Sequence, residues 1–188
     1  MPKLISFTSI SLDGYFTSLN GDMSWAHAEP NDAEWNAFVA ENTKGDSTLV
    51  FGRVTYDLMA SYWPTPMAAQ QNGVVADKMT RASKLVFSRT LDNASWSNTT
   101  VVKGDMPSEI RTLKQGDGLD MVILGSGSIV AQLAAQGLID ELQVVVLPLI
   151  LGSGKSLFGG ANGPLRLTRN SARTFGNGNV VFSYAPRG

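Results

Sequence analysis

Apolar and polar residues alternate along the chain in a pattern typical of strands followed by helices. Five short apolar segments predict strands, at residues 3–11, 47–51, 84–87, 99–102 and 121–124. Apolar residues at helical spacing predict helices at residues 32–42, in the later half of 52–59, and at 74–81, 105–115 and 128–136. Residues 15–30 show no periodicity and are expected to form a long loop, and Pro64 and Pro66 are expected to close the second helix.

The last quarter of the chain has a different pattern, which predicts antiparallel strands. An apolar run at residues 141–151 and a glycine-rich loop at 152–163 precede alternating segments at 165–175 and 180–184. Asn177-Gly178 lies between those two segments and is a strong hairpin signal. The whole pattern predicts an α/β fold with a mixed, mostly parallel sheet, helices on both faces and a C-terminal antiparallel hairpin.

The composition indicates one globular domain, residues 1–188, that acts on a small molecule. Of the 188 residues, 43% are apolar, the net charge is −1 and the basic residues are scattered, so we expect no nucleic-acid or membrane partner. The chain has no cysteine, which excludes disulfides, thiolate zinc sites and thiol nucleophiles and fits an expected cytoplasmic location. No apolar run approaches the ~20 residues of a membrane span.

A glycine turn follows the apolar segment at residues 121–124. Gly125 and Gly127 let the backbone turn sharply, and Ser128 is expected to cap a helix whose N-terminus would favour a phosphate group. Val130 stands where a Rossmann dinucleotide fingerprint requires its third glycine. A Rossmann fold is therefore not expected.

Two other chemistries lack the residues they need. Gly154-Lys155-Ser156 resembles the end of a P-loop, but Leu149 replaces its leading glycine, so an NTPase is not expected. The only histidine is His27, and no Gly-x-Ser-x-Gly elbow surrounds any serine. A hydrolase would therefore have to use a serine near His27.

Three of the predicted strands end in groups suited to a phosphorylated ligand. These strand ends are residues 52–55 with Arg53, residues 88–90 with Arg89, and the glycine turn at 125–128. In a parallel sheet the carboxyl ends of the strands converge on one crevice, where ligands bind. Because the same pattern occurs three times, a shared binding site is favoured over unrelated surface charges.

These segments make the chain resemble the dihydrofolate reductase superfamily, specifically stand-alone proteins similar to the reductase domain of the riboflavin-biosynthesis deaminase/reductase. Five blocks carry the resemblance, in the family's order and over nearly the whole chain: Ser11-Leu-Asp-Gly14, Val50-Phe-Gly-Arg-Val-Thr-Tyr56, Lys84-Leu-Val-Phe-Ser-Arg-Thr-Leu91, Ile123-Leu-Gly-Ser-Gly-Ser128 and Gly152-Ser-Gly-Lys-Ser-Leu-Phe158. The resemblance implies a three-layer α/β/α fold that binds NADPH and transfers its hydride.

The resemblance also implies which residues hold NADPH. They are Gly52, Arg53, Thr55, Ser88, Arg89, Thr90, Leu124, Gly125, Ser126, Gly127, Ser128 and Ile129. The first three would hold the pyrophosphate at a helix N-terminus, and the next three would surround the adenosine 2′-phosphate. The others would approach the pyrophosphate and the nicotinamide ribose.

On the substrate side, the resemblance implies that Asp13 is the catalytic acid near the reacting centre. The loop as far as Trp25 would cover the nicotinamide, and Trp25 and Asp32 would contact the substrate. The residues alone leave a second interpretation open for each acid. Asp13 is also suited to an Asp-Gly turn, and Asp32 to an ordinary helix cap.

We therefore expect an NADPH-dependent reductase of a small heterocycle, such as a pterin or an aminopyrimidine. A non-catalytic NADP(H)-binding or sensing protein is the alternative, and a hydrolase using His27 is a weaker one. The apolar segment at 144–151 and the loop at Phe158 could form a homodimer interface or belong to the core.

Overall fold

Strands and helices alternate along most of the chain. The structure is a computed structural model that describes residues 1–27, 32–42, 45–159 and 163–187. The strands there are β1 Leu4–Ile10, β2 Tyr15–Thr17, β3 Thr48–Gly52, β4 Lys84–Phe87, β5 Thr99–Val102, β6 Met121–Leu124, β7 Glu141–Val146, β8 Lys155–Ser156, β9 Leu167–Thr174 and β10 Val180–Pro186. The helices are α1 Ala33–Asn42, α2 Arg53–Tyr62, α3 Pro66–Arg81, α4 Met106–Gln115 and α5 Gly127–Ala135, with a 3₁₀ helix at Ser24–His27.

Eight of the strands form one sheet, in the order β5-β4-β3-β6-β1-β7-β10-β9. The strands from β5 to β7 in this order are parallel, whereas β10 runs antiparallel to both β7 and β9. The predicted mostly parallel sheet with a C-terminal antiparallel hairpin is therefore confirmed. All six parallel strands end at the same edge of the sheet, which we call the carboxyl edge.

Helices cover both faces of the sheet, so the three-layer fold is confirmed. On one face, α4 and α5 pack on a single large core that includes Leu4, Val50 and Ile123. The opposite face carries two separate cores instead of one. The first lies under α2 and α3 around Phe51, and the second lies under α1 around Val145. We call the face with the single core the α5 face and the face with the two cores the α1 face.

Several predicted boundaries were wrong. Residues 15–30 contain β2 and the 3₁₀ helix, and β2 pairs with β8 as a small separate ribbon. Pro66 does not close a helix but begins α3, at the first-turn position where its missing N–H costs nothing. The helix then continues to Arg81 through a kink at Asn72.

The buried Lys84 holds the C-terminus of α3. Its side chain, 1% exposed, donates to the carbonyl oxygens of Thr80, Ala82 and Ser97 at 2.7 to 3.1 Å and lies 4.4 Å from the centre of the Trp96 ring. Burial lowers the pKa of Lys84 to about 8, so the ammonium still carries its charge at neutral pH. Three carbonyls, an aromatic face and the negative end of a helix dipole all favour that charge.

Lys84→Met is expected to destabilise the fold by about 2–4 kcal/mol, because it leaves buried carbonyls without donors. Urea unfolding followed by circular dichroism measures this. The control is Lys3→Met, which removes an exposed lysine whose interactions in the structure are made by its backbone. Equal unfolding free energies for the two variants would contradict the assigned role of Lys84.

Candidate functional site

The carboxyl edge brings the predicted binding residues together. β3 ends at Gly52, β4 leads into Ser88, and β6 leads into Gly125. Along the chain, β3, β4 and β5 lie successively further from β1, and β6 then lies between β3 and β1. Where the strand order reverses in this way, the loops diverge and leave a crevice for a ligand.

The glycine turn after β6 is left-handed at two successive residues. Gly125 has a φ of 68° and Ser126 a φ of 57°, a region that residues with a Cβ rarely adopt. This conformation points the buried Ser126 side chain toward β3, where its Oγ accepts the Gly52 N–H at 3.0 Å. The prediction that Ser128 caps the helix was wrong, because α5 begins at Gly127 and Ser126 occupies the cap position.

Two helices begin at this edge without a side-chain cap. Gly52 precedes α2 and Ser126 precedes α5, and neither makes a capping hydrogen bond to its helix. By contrast, Asp32, Thr65 and Asp105 cap α1, α3 and α4. An uncapped first turn exposes backbone N–H groups and a positive dipole end. The two open N-termini therefore form a site suited to a phosphate-containing ligand.

A cavity of about 560 Å³ adjoins these N-termini. Six predicted cofactor residues line it: Gly52, Arg53, Ser88, Arg89, Ser128 and Ile129. Eight others were not predicted: Phe87, Val102, Lys103, Gly104, Asp105, Met106, Pro107 and Gln132. Lys103 directly follows β5, so the strand-end pattern that identified Arg53 and Arg89 could have found it as well.

The remaining predicted cofactor residues surround the glycine turn or join it to the cavity. Thr55 lies against Gly125, since a Cβ placed on Gly125 would be 3.5 Å from the Thr55 methyl carbon. Thr90 Oγ1 accepts from Arg53 at 3.2 Å. Leu124 lies half-buried beneath the turn and packs against the core under α2 and α3.

Three cationic side chains line the cavity, and they differ in how strongly they are engaged. Arg53 pairs with Asp57 at 2.7 Å and Lys103 with Asp92 at 2.7 Å, both at the surface. The hydrogen bond and charge of Lys103 lower the pKa of Asp92. Arg89 has no hydrogen bond or ion pair to any residue in the described ranges, so its guanidinium is available to a ligand.

The loop that carries Arg89 is fixed by Ser88. The Ser88 hydroxyl, 9% exposed, accepts the N–H groups of Thr90 at 3.3 Å and Leu91 at 3.0 Å. These bonds close a turn around the exposed Arg89. Ser88 therefore positions the guanidinium, and any direct contact of Ser88 with the cofactor stays a prediction.

Half-buried apolar side chains lie on the α1 face, between its two cores. Along β1 and β6, the side chains on the α5 face are buried, as in Leu4 and Ile123. The alternate residues Phe7, Val122 and Leu124 on the α1 face are only half-buried, although both strands are central in the sheet. These half-buried side chains form an apolar surface between the two cores and beside the glycine turn, which we call the apolar cleft.

Asp13 fastens a distant loop. Its carboxylate accepts the N–H groups of Leu151 at 3.1 Å and Gly152 at 2.8 Å, more than 130 residues along the chain. The Ser11 hydroxyl, followed by these two N–H groups, lowers the pKa of Asp13 below its ordinary value of 3.8. An exposed carboxylate held in the ionised form is a poor proton donor at neutral pH. The catalytic role of Asp13 therefore stays a prediction, and its contacts do not favour it.

Asp13 thereby anchors a small lid over the site. The ribbon of β2 and β8 follows the Asp13 turn, and the Phe16 ring lies against the first turn of α5. A Cβ on Gly127 would be 2.4 Å from that ring, so any larger residue there would have to displace the Phe16 side chain.

The two predicted substrate residues lie on the α1 face. Trp25 packs in the core under α1, and its indole N–H donates to the Asp22 carbonyl at 3.2 Å. Asp32 Oδ1 accepts the Trp35 N–H at 2.7 Å, so Asp32 does serve as the cap of α1. Its second oxygen lies close to Gly176. Contact of either residue with a substrate stays a prediction.

Two further features bear on the alternatives. Within the ranges that the structure describes, no cluster of acidic or histidine side chains could hold a metal ion, and no helix is long and apolar enough to cross a membrane. The side chain of His27, on which the hydrolase alternative depends, lies outside the described part.

Comparisons with known proteins agree with this geometry. The family described as RibD C-terminal domain matches residues 2–181. The protein YyaP of Bacillus subtilis (strain 168) is 27% identical over 182 residues, which cover 97% of this chain and 94% of YyaP. A putative riboflavin biosynthesis protein from Shewanella sp. PV-4 has a similar structure, with a TM-score of 0.78, 23% identity and 99% of both chains covered.

The fold also resembles that of a true dihydrofolate reductase. The Enterococcus faecalis enzyme, complexed with NADP(H), matches with a TM-score of 0.65 and 14% identity, over 99% of this chain and 97% of that one. The predicted resemblance to riboflavin-pathway reductases and the dihydrofolate reductase-like fold are thus both confirmed.

Asp13→Asn is expected to release the segment after β7. The amide has one acceptor oxygen and no charge for two N–H donors, so the Leu151 and Gly152 amides should exchange with solvent at least roughly tenfold faster. Hydrogen exchange measured by NMR checks this, with the exposed Asp117→Asn as control. Unchanged exchange at both amides would contradict the anchoring role.

The same contacts set a pH dependence for the wild-type lid. Since the pKa of Asp13 is lowered below 3.8, the carboxylate stays charged at and above that pH. Protection of the two amides, corrected for intrinsic exchange, should be constant from about pH 7 to about pH 5, begin to fall near about pH 4 and be lost only at lower pH. Protection that is already lost at about pH 5 would contradict this assignment.

Proposed function

Because this chain belongs to the RibD C-terminal domain family, we propose that it is an NADPH-dependent reductase that transfers a hydride to a small heterocycle, such as a pterin or an aminopyrimidine. The observation that carries the proposal is the pair of uncapped helix N-termini at α2 and α5, joined by the Ser126–Gly52 hydrogen bond. A dinucleotide phosphate is the kind of ligand that this arrangement favours.

The residues at the carboxyl edge fit NADPH in shape and charge. Gly52 leaves room for close approach, since a Cβ there would lie 3.3 Å from the Ile129 side chain and narrow the space between the two helix starts. Phe87, Val102 and Met106 give the cavity apolar walls suited to an adenine ring. The NADP(H) complex of the structurally similar Enterococcus enzyme supports the same choice of cofactor.

The cationic side chains of the cavity favour NADPH over NADH. Arg89 is unpaired within the described residues, and Lys103 approaches the same cavity from the end of β5. A guanidinium fork and an ammonium together suit a phosphate monoester better than a neutral ribose hydroxyl. We propose that Arg89 and Lys103 bind the 2′-phosphate. Ser88 orders the loop that carries Arg89, and Thr90 orders Arg53.

The reaction would take place in the apolar cleft on the α1 face. NADPH, when bound, supplies the hydride. The half-buried Phe7 and Leu124 offer an apolar surface for a planar ring. The lid of β2 and β8, whose Phe16 packs on the side of the sheet that carries α5, lies at the carboxyl edge beside this surface. Asp13 acts as a positioning residue that fastens this lid, so an ordered water is the better candidate for the proton donor.

Arg89→Ala should weaken NADPH binding by roughly 10- to 100-fold and leave NADH binding unchanged, because a charge-assisted phosphate contact is worth about 1.5–3 kcal/mol. Fluorescence titration with both cofactors measures this. Arg169→Ala, on the exposed strand β9, is the matched control and should bind both cofactors as the wild type does. Wild-type protein that binds NADPH and NADH equally well would contradict the 2′-phosphate assignment.

A second candidate is a non-catalytic NADP(H)-binding protein. It is favoured by one observation, namely that Asp13 and Asp32 both already accept backbone N–H groups, which are structural roles. NADPH oxidation followed at saturating cofactor, across pterins, aminopyrimidines and simple carbonyl compounds, separates the two. Turnover of a heterocycle supports the reductase, and tight binding without turnover of any compound supports the second candidate.

A further inference from the structure

An acidic side chain holds one of the three cations that line the cavity. Asp92 Oδ1 accepts from Lys103 Nζ at 2.7 Å, and the two side chains are 81% and 51% exposed. Lys103 lines the cavity, whereas Asp92 is not one of the lining residues. The ion pair therefore holds the Lys103 ammonium against a carboxylate at the margin of the cavity.

The loop that carries Asp92 also carries Arg89, and it lies beside the end of β5. Phe87 and Val102 are partners in the register of β4 and β5, so the residues that follow them leave the sheet at the same level. The Ser88 hydroxyl accepts the N–H group of Leu91, which fixes the backbone up to the residue before Asp92. One loop thus brings both a free guanidinium and a carboxylate to the part of the carboxyl edge where Lys103 begins its loop.

Pairing with an acid affects Lys103 more than it affects Arg53. The Arg53 guanidinium donates to Asp57 through Nε and to Thr90 through one terminal nitrogen, so it keeps further donors for a ligand. A lysine concentrates its charge on a single nitrogen, and that nitrogen of Lys103 contacts Asp92. A phosphate that binds Lys103 must therefore take the ammonium from Asp92 or share it with Asp92.

The exchange of partners is easy, but it weakens phosphate binding. Exposed ion pairs contribute little stability, and the flexible stem of a lysine lets the ammonium move from one anion to another. The Asp92 carboxylate stays nearby as a like charge that opposes the phosphate. A neutral ribose hydroxyl does not compete for the ammonium, and in other dinucleotide sites a carboxylate is its usual partner. The Asp92 charge therefore acts against a 2′-phosphate and not against an unphosphorylated ribose.

We propose that Asp92 is a specificity-determining residue of the cofactor site, which competes with the 2′-phosphate for Lys103 and limits the preference for NADPH over NADH. The inference rests on the proposed function for the position of the 2′-phosphate between Arg89 and Lys103. Arg89 attracts the phosphate without any exchange of partners, whereas the attraction by Lys103 depends on Asp92. Removal of the Asp92 charge therefore tightens the binding of NADPH and leaves that of NADH unchanged.

Calorimetric titrations with adenosine 2′,5′-bisphosphate and adenosine 5′-monophosphate test this, because the two ligands differ only in the 2′-phosphate. Asp92→Asn removes the charge at nearly constant size, and Lys103→Met removes the ammonium for which the two anions compete. The double variant shows whether Asp92 acts through Lys103. The matched control is Asp77→Asn, which breaks an exposed ion pair with Arg81 on α3, and neither of these two residues lines the cavity.

At low salt, Asp92→Asn should bind the bisphosphate roughly three- to tenfold more tightly than the wild type does and bind the monophosphate equally well. The control should bind both ligands as the wild type does. When Lys103→Met is also present, the gain from Asp92→Asn should fall below about twofold. Titrations with NADPH and NADH should repeat the pattern, with a gain for NADPH only.

The proposal is overturned if Asp92→Asn leaves the bisphosphate affinity unchanged or lowers it, since a loss would mean that Asp92 positions Lys103 for the phosphate. An equal gain for the monophosphate, or an equal gain in the control, would show an effect of net charge and would also overturn it. A gain that persists in full with Lys103→Met would exclude competition for that ammonium.

NADPH oxidation measured in parallel separates this inference from the proposed function. A selective gain in Asp92→Asn, with no turnover of any heterocycle by the wild type, would contradict the reductase and leave the role of Asp92 standing. Turnover of NADPH by the wild type, with no gain in Asp92→Asn, would do the reverse.

Discussion

The hydrogen bond from the Gly52 N–H to Ser126 Oγ joins two strand ends that are 74 residues apart, and the site depends on it. Ser126 reaches Gly52 because its backbone is left-handed, a conformation that costs about 1–2 kcal/mol for a residue with a Cβ. The Ser126 oxygen bonds to β3 and makes no cap bond to α5, and Gly52 has no side chain with which to cap α2. One bond therefore aligns two strands and leaves two helix N-termini open toward the same crevice.

The two faces of the sheet differ in how their cores are built. The α5 face is a continuous core that holds β1, β3 and β6 in register under α5. On the α1 face the core is split, and the partial exposure of Phe7 and Leu124 between its halves has no structural benefit of its own. Exposed apolar surface in the middle of a sheet is typical of a ligand cleft. The buried Lys84 stabilises the part of the sheet formed by β4 and β5, because it joins the end of α3 to the loop before β5.

Much of this arrangement could be predicted because it depends on local patterns. Apolar runs identified five of the six parallel strands, and the groups that follow them identified Arg53, Arg89 and the glycine turn. The run at residues 141–151 was placed in the antiparallel part of the chain, whereas β7 lies parallel to β1. The cap of α5 was placed wrongly because the sequence does not reveal the left-handed φ of Ser126, which depends on a partner in β3. The partner of Asp13 was equally hidden, since its contacts with Leu151 and Gly152 arise only when β1 and β7 lie side by side. The ribbon of β2 and β8 was missed because strands of two or three residues carry no periodic signal.

The central claim is that the open N-termini of α2 and α5 bind the phosphates of NADPH. Two-dimensional amide NMR during an NADPH titration tests it most directly, because it reports on the backbone N–H groups themselves. The account predicts that the largest shifts occur in the first turns of the two helices, at residues 53–55 and 127–128, together with Arg89. Saturable NADPH binding whose amide shifts leave both helix starts unchanged would contradict it.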